Sequence, residues 1–205
     1  MNATKVIAKL RDRKPTILGR EHFREFGIFI PMVEIKNETH LLFEVRSLKM
    51  RNQPGDICFP GGRVEKDDES ELHCALRETS EEIGVDITNI SDVVPLDYIV
   101  SDFGRIIFPF VGVLHHPEKI VPNRAEVDEV FTVPLQFFLE TKPEAYKVNF
   151  KVIPEVNFPY EHIQGGKKYE WSVRAADELF YYYKGKVIWG LTARIIAHFV
   201  ELIKQ

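Results

Sequence analysis

Residues 74–84 read CALRETSEEIG, and this stretch constrains the chain more than any other. Read as a helix, it places Glu78, Glu81 and Glu82 at i, i+3 and i+4, so three carboxylates crowd one face. On a wet surface a like-charged pair at that spacing costs only about 0.2–0.5 kcal/mol. In a partly buried cleft, two carboxylates about 5 Å apart repel by roughly 3 kcal/mol at an effective dielectric near 20. The face is therefore either solvated or a cage for a hard divalent cation, whose charge turns the repulsion into attraction.

The flanks support the helix. It runs from about Ser70 to Ile83, with Ala75, Thr79 and Ile83 as its packing stripe and Gly84 as its stop. Between Arg63 and Glu82 eight acids stand against three bases, so this segment is more negative than the whole chain, whose net charge is −4. That balance is not the basic profile of a nucleic-acid binder. The first twenty residues instead hold Lys5, Lys9, Arg11, Arg13, Lys14 and Arg20 against Asp12 alone. A solvated terminal helix explains them better than stable membrane association.

At 205 residues, with 44% hydrophobic and 28% charged content, the chain has the composition of one ordinary globular domain with an appendage. Two cysteines, Cys58 and Cys74, form neither a disulfide framework nor a metal quartet. The N-terminus shows no apolar signal core and no apolar run reaches 18 residues, which leads to the expectation of a soluble, cytoplasmic protein.

Along the chain, a short helix is expected over 2–12, then extended runs at 26–35 and 40–47 joined by KNET, and a long loop over 48–63. Beyond the acidic helix, strands are expected at 93–101, 105–114 and 129–133, with a helical turn at 134–140. Extended segments are expected at 145–153 and 168–174. A hairpin turning at Lys184-Gly185 fills 178–190. The closing helix over 191–203 carries Leu191, Ile195, Ile196, Phe199 and Leu202 on one side. Mixed strands with few helices imply an α/β sandwich.

The stretch FPGGRVEKDDESELHCALRETSEEIGV as a whole resembles the Nudix box, the signature of enzymes that hydrolyse diphosphates linked to another moiety. Gly62, Arg77, Glu78, Glu81, Glu82 and Gly84 match it. The usual pattern has five residues between the first glycine and an outer glutamate, then seven before the arginine. Here Glu69 has the spacing to Arg77 and Asp68 the spacing to Gly62, and Thr79 stands at an aliphatic position. The upstream stretch LFEVRSLKMRNQPGDICFPGG (42–62) resembles the motif of the coenzyme A pyrophosphatase subfamily. Leu42, Arg46, Ser47, Arg51, Gly55, Phe59, Pro60, Gly61 and Gly62 fit, whereas Phe43 and Glu44 replace the usual leucine and threonine.

The resemblance implies a Nudix fold, a mixed β-sheet in an α/β/α sandwich, over 26–205 with a helical extension at 1–25. It implies Mg²⁺ or Mn²⁺ held by Glu78, Glu81 and Glu82, since such ions prefer oxygen ligands. Its substrate would be coenzyme A or acyl-CoA, cleaved to adenosine 3′,5′-bisphosphate and 4′-phosphopantetheine. The catalytic set would be Glu81, Glu78, Arg77 and Glu126, the last as a further metal carboxylate or base, or else a charge at the rim. Arg46, Arg51, Gly61 and Gly62 would bind substrate. Arg77 is expected to orient a glutamate by an ion pair. Rival readings are another nucleoside diphosphate derivative, such as ADP-ribose or a dinucleotide, and a non-catalytic nucleotide-sensing module. A homodimer stays open. The cysteines are expected to be packed thiols, His115 and His116 strand-end loop residues, and Tyr181, Tyr182 and Tyr183 alternately core and surface.

Overall fold

The computed structural model describes residues 2–101, 104–172 and 174–205. Helix α1 (Ala3–Leu10) opens the chain, capped by Asn2, whose side chain accepts the Lys5 N–H at 3.0 Å. None of its residues is buried. The two apolar runs that follow become β1 (Arg24–Ile35) and β2 (Glu38–Arg46). Lys36 and Asn37 join them at φ 52° and 65°, the positive dihedrals that let a two-residue turn follow strand twist.

This hairpin does not stay closed. β1 pairs with β2 only over Met32–Ile35 against Glu38–Leu41. Beyond that the strands diverge, and the expected loop over 48–63 supplies two short strands to fill the gap. β3 (Ile57–Cys58) pairs with β2, and β4 (Gly61–Arg63) pairs with β1. The helix expected from Ser70 forms as α2 (Glu71–Ile83). Ser70 accepts the His73 N–H at 3.1 Å, and Gly84 stops the helix at φ 67°.

The expected strand at 93–101 is two, β5 (Ile90–Pro95) and β6 (Ile99–Ser101), both antiparallel to β7 (Arg105–Leu114). β7 runs parallel to β1 along Arg24–Met32, and β8 (Val127–Pro134) closes the far side against β2. The sheet is therefore mixed. After α3 (Leu135–Glu140), β9 (Glu144–Phe150), β10 (Arg174–Tyr183) and β11 (Lys186–Trp189) make a separate antiparallel sheet, and α4 (Gly190–Ile203) ends the fold. Lys184 and Gly185, at φ 46° and 82°, turn the last hairpin.

Strand alternation builds the layers. Phe29 and Val33 of β1 and Leu42 of β2 face α2, packing with Ala75, Ile83 and Leu114. Ile30, Leu41 and Phe43 face the other way, against Phe138, Tyr181, Ile188 and α4. The product is an α/β/α sandwich with α2 on one side of the mixed sheet. The sequence misplaced two features. Residues 169–172 are not a strand but follow a 3₁₀ turn at Gly166–Lys168, and Val173 lies outside the described residues. Helix α4 is also rotated relative to expectation. Leu191 and Leu202 are exposed, while Ala193, Ile195, Ile196, Phe199 and Val200 are buried, because β10 and β11 present Tyr181 and Ile188 to that face. No described helix is long and apolar enough to cross a membrane.

Candidate active site

The site lies where the β1–β2 hairpin opens and α2 crosses it. Two glycines permit the approach. Gly61, at φ 151°, sits so close to β1 that a Cβ there would lie 2.4 Å from the Gly27 carbonyl oxygen. A Cβ on Gly62 would lie 2.3 Å from the Glu78 carboxyl carbon, so the missing side chain is the space that Glu78 fills. The loop before β8 wraps the end of the helix, with the Asn123 N–H donating to the Glu82 carbonyl at 2.8 Å. The same loop carries Glu126, whose carbonyl accepts the Ser47 N–H at 2.7 Å. Glu126 is thereby brought up against the end of β2, and its charge raises the pKa of both Glu44 and Glu78.

The helix carboxylates have different surroundings. Glu82 is 4% exposed and accepts the Gly61 N–H at 2.9 Å. Burial, then the charge of Glu44, pushes its carboxyl well above the usual range. Glu78 is raised by burial and partly restored by Arg77, whose Nη2 lies 2.9 Å from it. The Glu81 side chain is 56% exposed, its carboxylate held 3.2 Å from Arg77 Nη1. The three residues share the α2 side of the cleft. Among the described residues, however, no three acidic, histidine or cysteine side chains are already drawn into a metal-holding cluster. The donors nonetheless suit a hard divalent cation: they are carboxylate oxygens, and one buried oxygen, Glu44 Oε2, has no hydrogen-bond partner.

Asp68, not Glu69, is the outer carboxylate that meets Arg77. Its side chain is 1% exposed. It accepts Arg77 Nε at 2.9 Å and Nη2 at 3.1 Å, and the Glu65 N–H at 2.8 Å, with His73 Nδ1 at 3.0 Å. The Arg77 hydrogen bonds hold its carboxyl well below the usual aspartate range. Arg77 thus reaches Asp68, Glu78 and Glu81 at once and orients the helix face.

Arg46 ends β2 beside the cluster, and its charge lowers the pKa of Glu44 and Glu82. Its Nε is buried without a hydrogen-bond partner among the described residues. Arg51, by contrast, is exposed on the loop. His115 meets Ser91 at 2.8 Å and His116 meets Glu118 at 3.2 Å. Tyr181 is core, Tyr183 half-buried and Tyr182 exposed, as strand alternation predicts.

Sequence reasoning missed Glu44. It is 1% exposed, and its neighbour across β3 is Cys58, whose Sγ–H donates to Glu44 Oε1 at 3.3 Å. Burial pushes both its carboxyl and the Cys58 thiol upward. Two signals could have found it. It is the one charge within the buried run LLFEV, and it shares the helix-facing side of β2 with Leu42.

The NUDIX domain family matches residues 24–156. The chain is 37% identical over 142 residues to the peroxisomal coenzyme A diphosphatase of Mus musculus, covering 68% of this chain and 59% of that one. It is 38% identical over 127 residues to the peroxisomal coenzyme A diphosphatase of Caenorhabditis elegans, covering 57% and 51%. It thus spans little more than half the length of these relatives. A solved MutT/nudix family protein from Enterococcus faecalis superposes with a TM-score of 0.54 at 15% identity, over 100% of this chain and 71% of that one, a likeness of fold.

Proposed function

The chain belongs to the Nudix family, and from that premise we propose that it is a metal-dependent hydrolase of coenzyme A or acyl-CoA, active in the cytoplasm. The bond cut is the diphosphate, and the products are adenosine 3′,5′-bisphosphate and 4′-phosphopantetheine or its acyl form. The observation that carries the reading is the folding of the 42–62 segment onto α2. It sets Arg46, Gly61 and Gly62 beside Glu78 and Glu82. The coenzyme A diphosphatases among its relatives point to the same substrate class.

Glu78, Glu81 and Glu82 would hold Mg²⁺ or Mn²⁺, which when bound offsets phosphate charge and acidifies a coordinated water. The chain's own groups supply the rest. Arg77 restrains Glu78 and Glu81 from one side, so their carboxylates keep a fixed relation through the reaction. Arg46 offers a cationic fork to phosphate oxygens from the opposite wall. Water attacks one phosphorus, the bridging P–O bond breaks, and both products leave as phosphate monoesters. Glu81, the solvent-accessible member of the trio, accepts the proton from water, with Glu126 alongside the cluster.

Steady-state kinetics with identified products on coenzyme A, its dephospho form and ADP-ribose test this reading. A charge-assisted phosphate contact is worth roughly 1.5–3 kcal/mol, so coenzyme A should be preferred by at least about tenfold in kcat/KM. Arg46→Ala should erode that preference more than it lowers kcat. Equal efficiency for ADP-ribose and coenzyme A would overturn the substrate while leaving the family untouched.

A further inference from the structure

We propose that Glu44 is a further carboxylate ligand of the divalent cation, entering the site from the sheet while Glu78, Glu81 and Glu82 enter from the helix. The inference rests on the metal-dependent reading above and extends it to a residue outside the acidic helix.

A glutamate in that place needs a reason. β2 alternates, and residues 42 and 44 both face α2. Leu42 packs with Val33, Ile83 and Leu114, as an apolar position should. Two residues on, Glu44 is equally removed from water, at 1% exposure. Among the described residues its only hydrogen bond is from a thiol, a weak donor, and Oε2 has none. Buried carboxylates are normally paired, hydrogen-bonded or bound to metal. Arg46 is the cation nearest in effect, but its charge is shared with Glu82. Arg77 is already committed to Asp68, Glu78 and Glu81. Glu44 also faces charge from Glu78 and Glu126, so the protein's own cations leave this pocket short of positive charge. A divalent cation shared between β2 and α2 supplies it, and only oxygen donors are needed.

The alternative is that Glu44 is a neutral core acid, satisfied enough by Cys58. Metal binding without substrate separates the two. Titration calorimetry with Mn²⁺ would be run on wild type, Glu44→Gln, Glu44→Thr and Glu82→Gln. Water-proton relaxation of the bound Mn²⁺ would report how many water ligands it keeps. A lost protein ligand should weaken the Kd at least about tenfold and raise the relaxivity of the bound ion, because water takes the freed position. Both Glu44 variants should show this, and metal-free Glu44→Gln should melt no lower than wild type. A wild-type Kd and relaxivity in both folded Glu44 variants overturns the inference. If Glu82→Gln still loses binding in that case, the carboxylate cage on α2 survives. If Glu82→Gln also binds normally, the metal-dependent reading falls as well.

Discussion

Asp68 and Glu82 stand at opposite ends of α2, and both are nearly removed from water: the Asp68 side chain is 1% exposed and residue Glu82 is 4% exposed. Their partners could hardly differ more. Asp68 takes two hydrogen bonds from one guanidinium and one from a backbone N–H, with an imidazole at 3.0 Å. Glu82 takes one, from Gly61, and faces Glu44, which has an unpartnered oxygen of its own. Their pKa values move in opposite directions, Asp68 down through Arg77 and Glu82 up through burial. A fully partnered carboxylate holds a helix in place. An underpartnered one marks where the fold gives up stability for a ligand it is built to receive.

The sharpest way to break this contrast is to neutralise the underpartnered end. Glu82→Gln and Glu81→Gln should each cut turnover at least about 10²-fold under saturating metal, the lower range for a positioned acid–base or electrostatic group. Metal-free Glu82→Gln should melt no lower than wild type, because an amide oxygen can still accept from Gly61 while the repulsion from Glu44 is gone. Near wild-type rates in both variants would end the carboxylate-cage reading.

At the partnered end the effect should fall on stability. Asp68→Asn loses charge-assisted bonds to Arg77, worth about 1.5–3 kcal/mol by urea unfolding. Glu69→Ala, at an exposed position, should stay within about 0.5 kcal/mol. The reverse ranking would make Glu69 the outer carboxylate. Between the ends, Gly62→Ala forces the Glu78 carboxylate to move, since a Cβ would sit 2.3 Å from its carbon. The displaced atoms are the tip of a flexible side chain, so stability should change little. Activity should fall about tenfold or more, as misplacement of a reacting group predicts.

What the sequence made legible was local. Ser70 and Gly84 cap α2, and Ala75, Thr79 and Ile83 form its buried stripe, each readable from neighbours within a turn or two. The KNET junction, which the structure narrows to a turn at Lys36-Asn37, and the turn at Lys184-Gly185 were equally local. The choice between Asp68 and Glu69 was not. β4 fixes Gly62, so the spacing counted from that glycine governs, and Glu69 is absorbed between Asp68 and the Ser70 cap. Glu44 stands out in the sequence as the lone charge in LLFEV, but its surroundings could not be read there, for the same kind of reason. Its environment comes from β3, from the end of α2 and from the loop bearing Glu126, segments that meet only after folding. The face of α4 depended on Tyr181 and Ile188 of the second sheet, which a helical wheel cannot see.

Acid pH sharpens the comparison further. Asp68 has a folded pKa below its unfolded value, so its contribution is complete above the usual aspartate range, about 3.9, and fades as pH falls toward the lower folded value. The melting temperatures of wild type and Asp68→Asn should therefore differ fully at neutral pH and converge below about pH 4. A gap that stays constant into acid would mean that Arg77 does not hold Asp68 through its charge.

The smallest effects are expected at the cysteines, although both touch the site. Cys58 Sγ lies 3.3 Å from Glu44 Oε1, and Cys74 Sγ lies 3.4 Å from the Gly62 carbonyl. A cysteine nucleophile needs thiolate, and here burial works against it: the Cys74 pKa is pushed up to about 11 and that of Cys58 well above its ordinary value. Water is the nucleophile in the proposed reaction, so neither sulfur has a chemical step to perform. Cys74→Ser should cost on the order of 1 kcal/mol, from putting a hydroxyl where a buried thiol packs, and should leave kcat within about twofold. Cys58→Ser keeps a donor for Glu44 and should perturb turnover as little. Mass spectrometry during turnover would show a phosphorylated or nucleotidylated thiol if one formed. Such an adduct on either cysteine would transfer the chemistry from the carboxylates to sulfur.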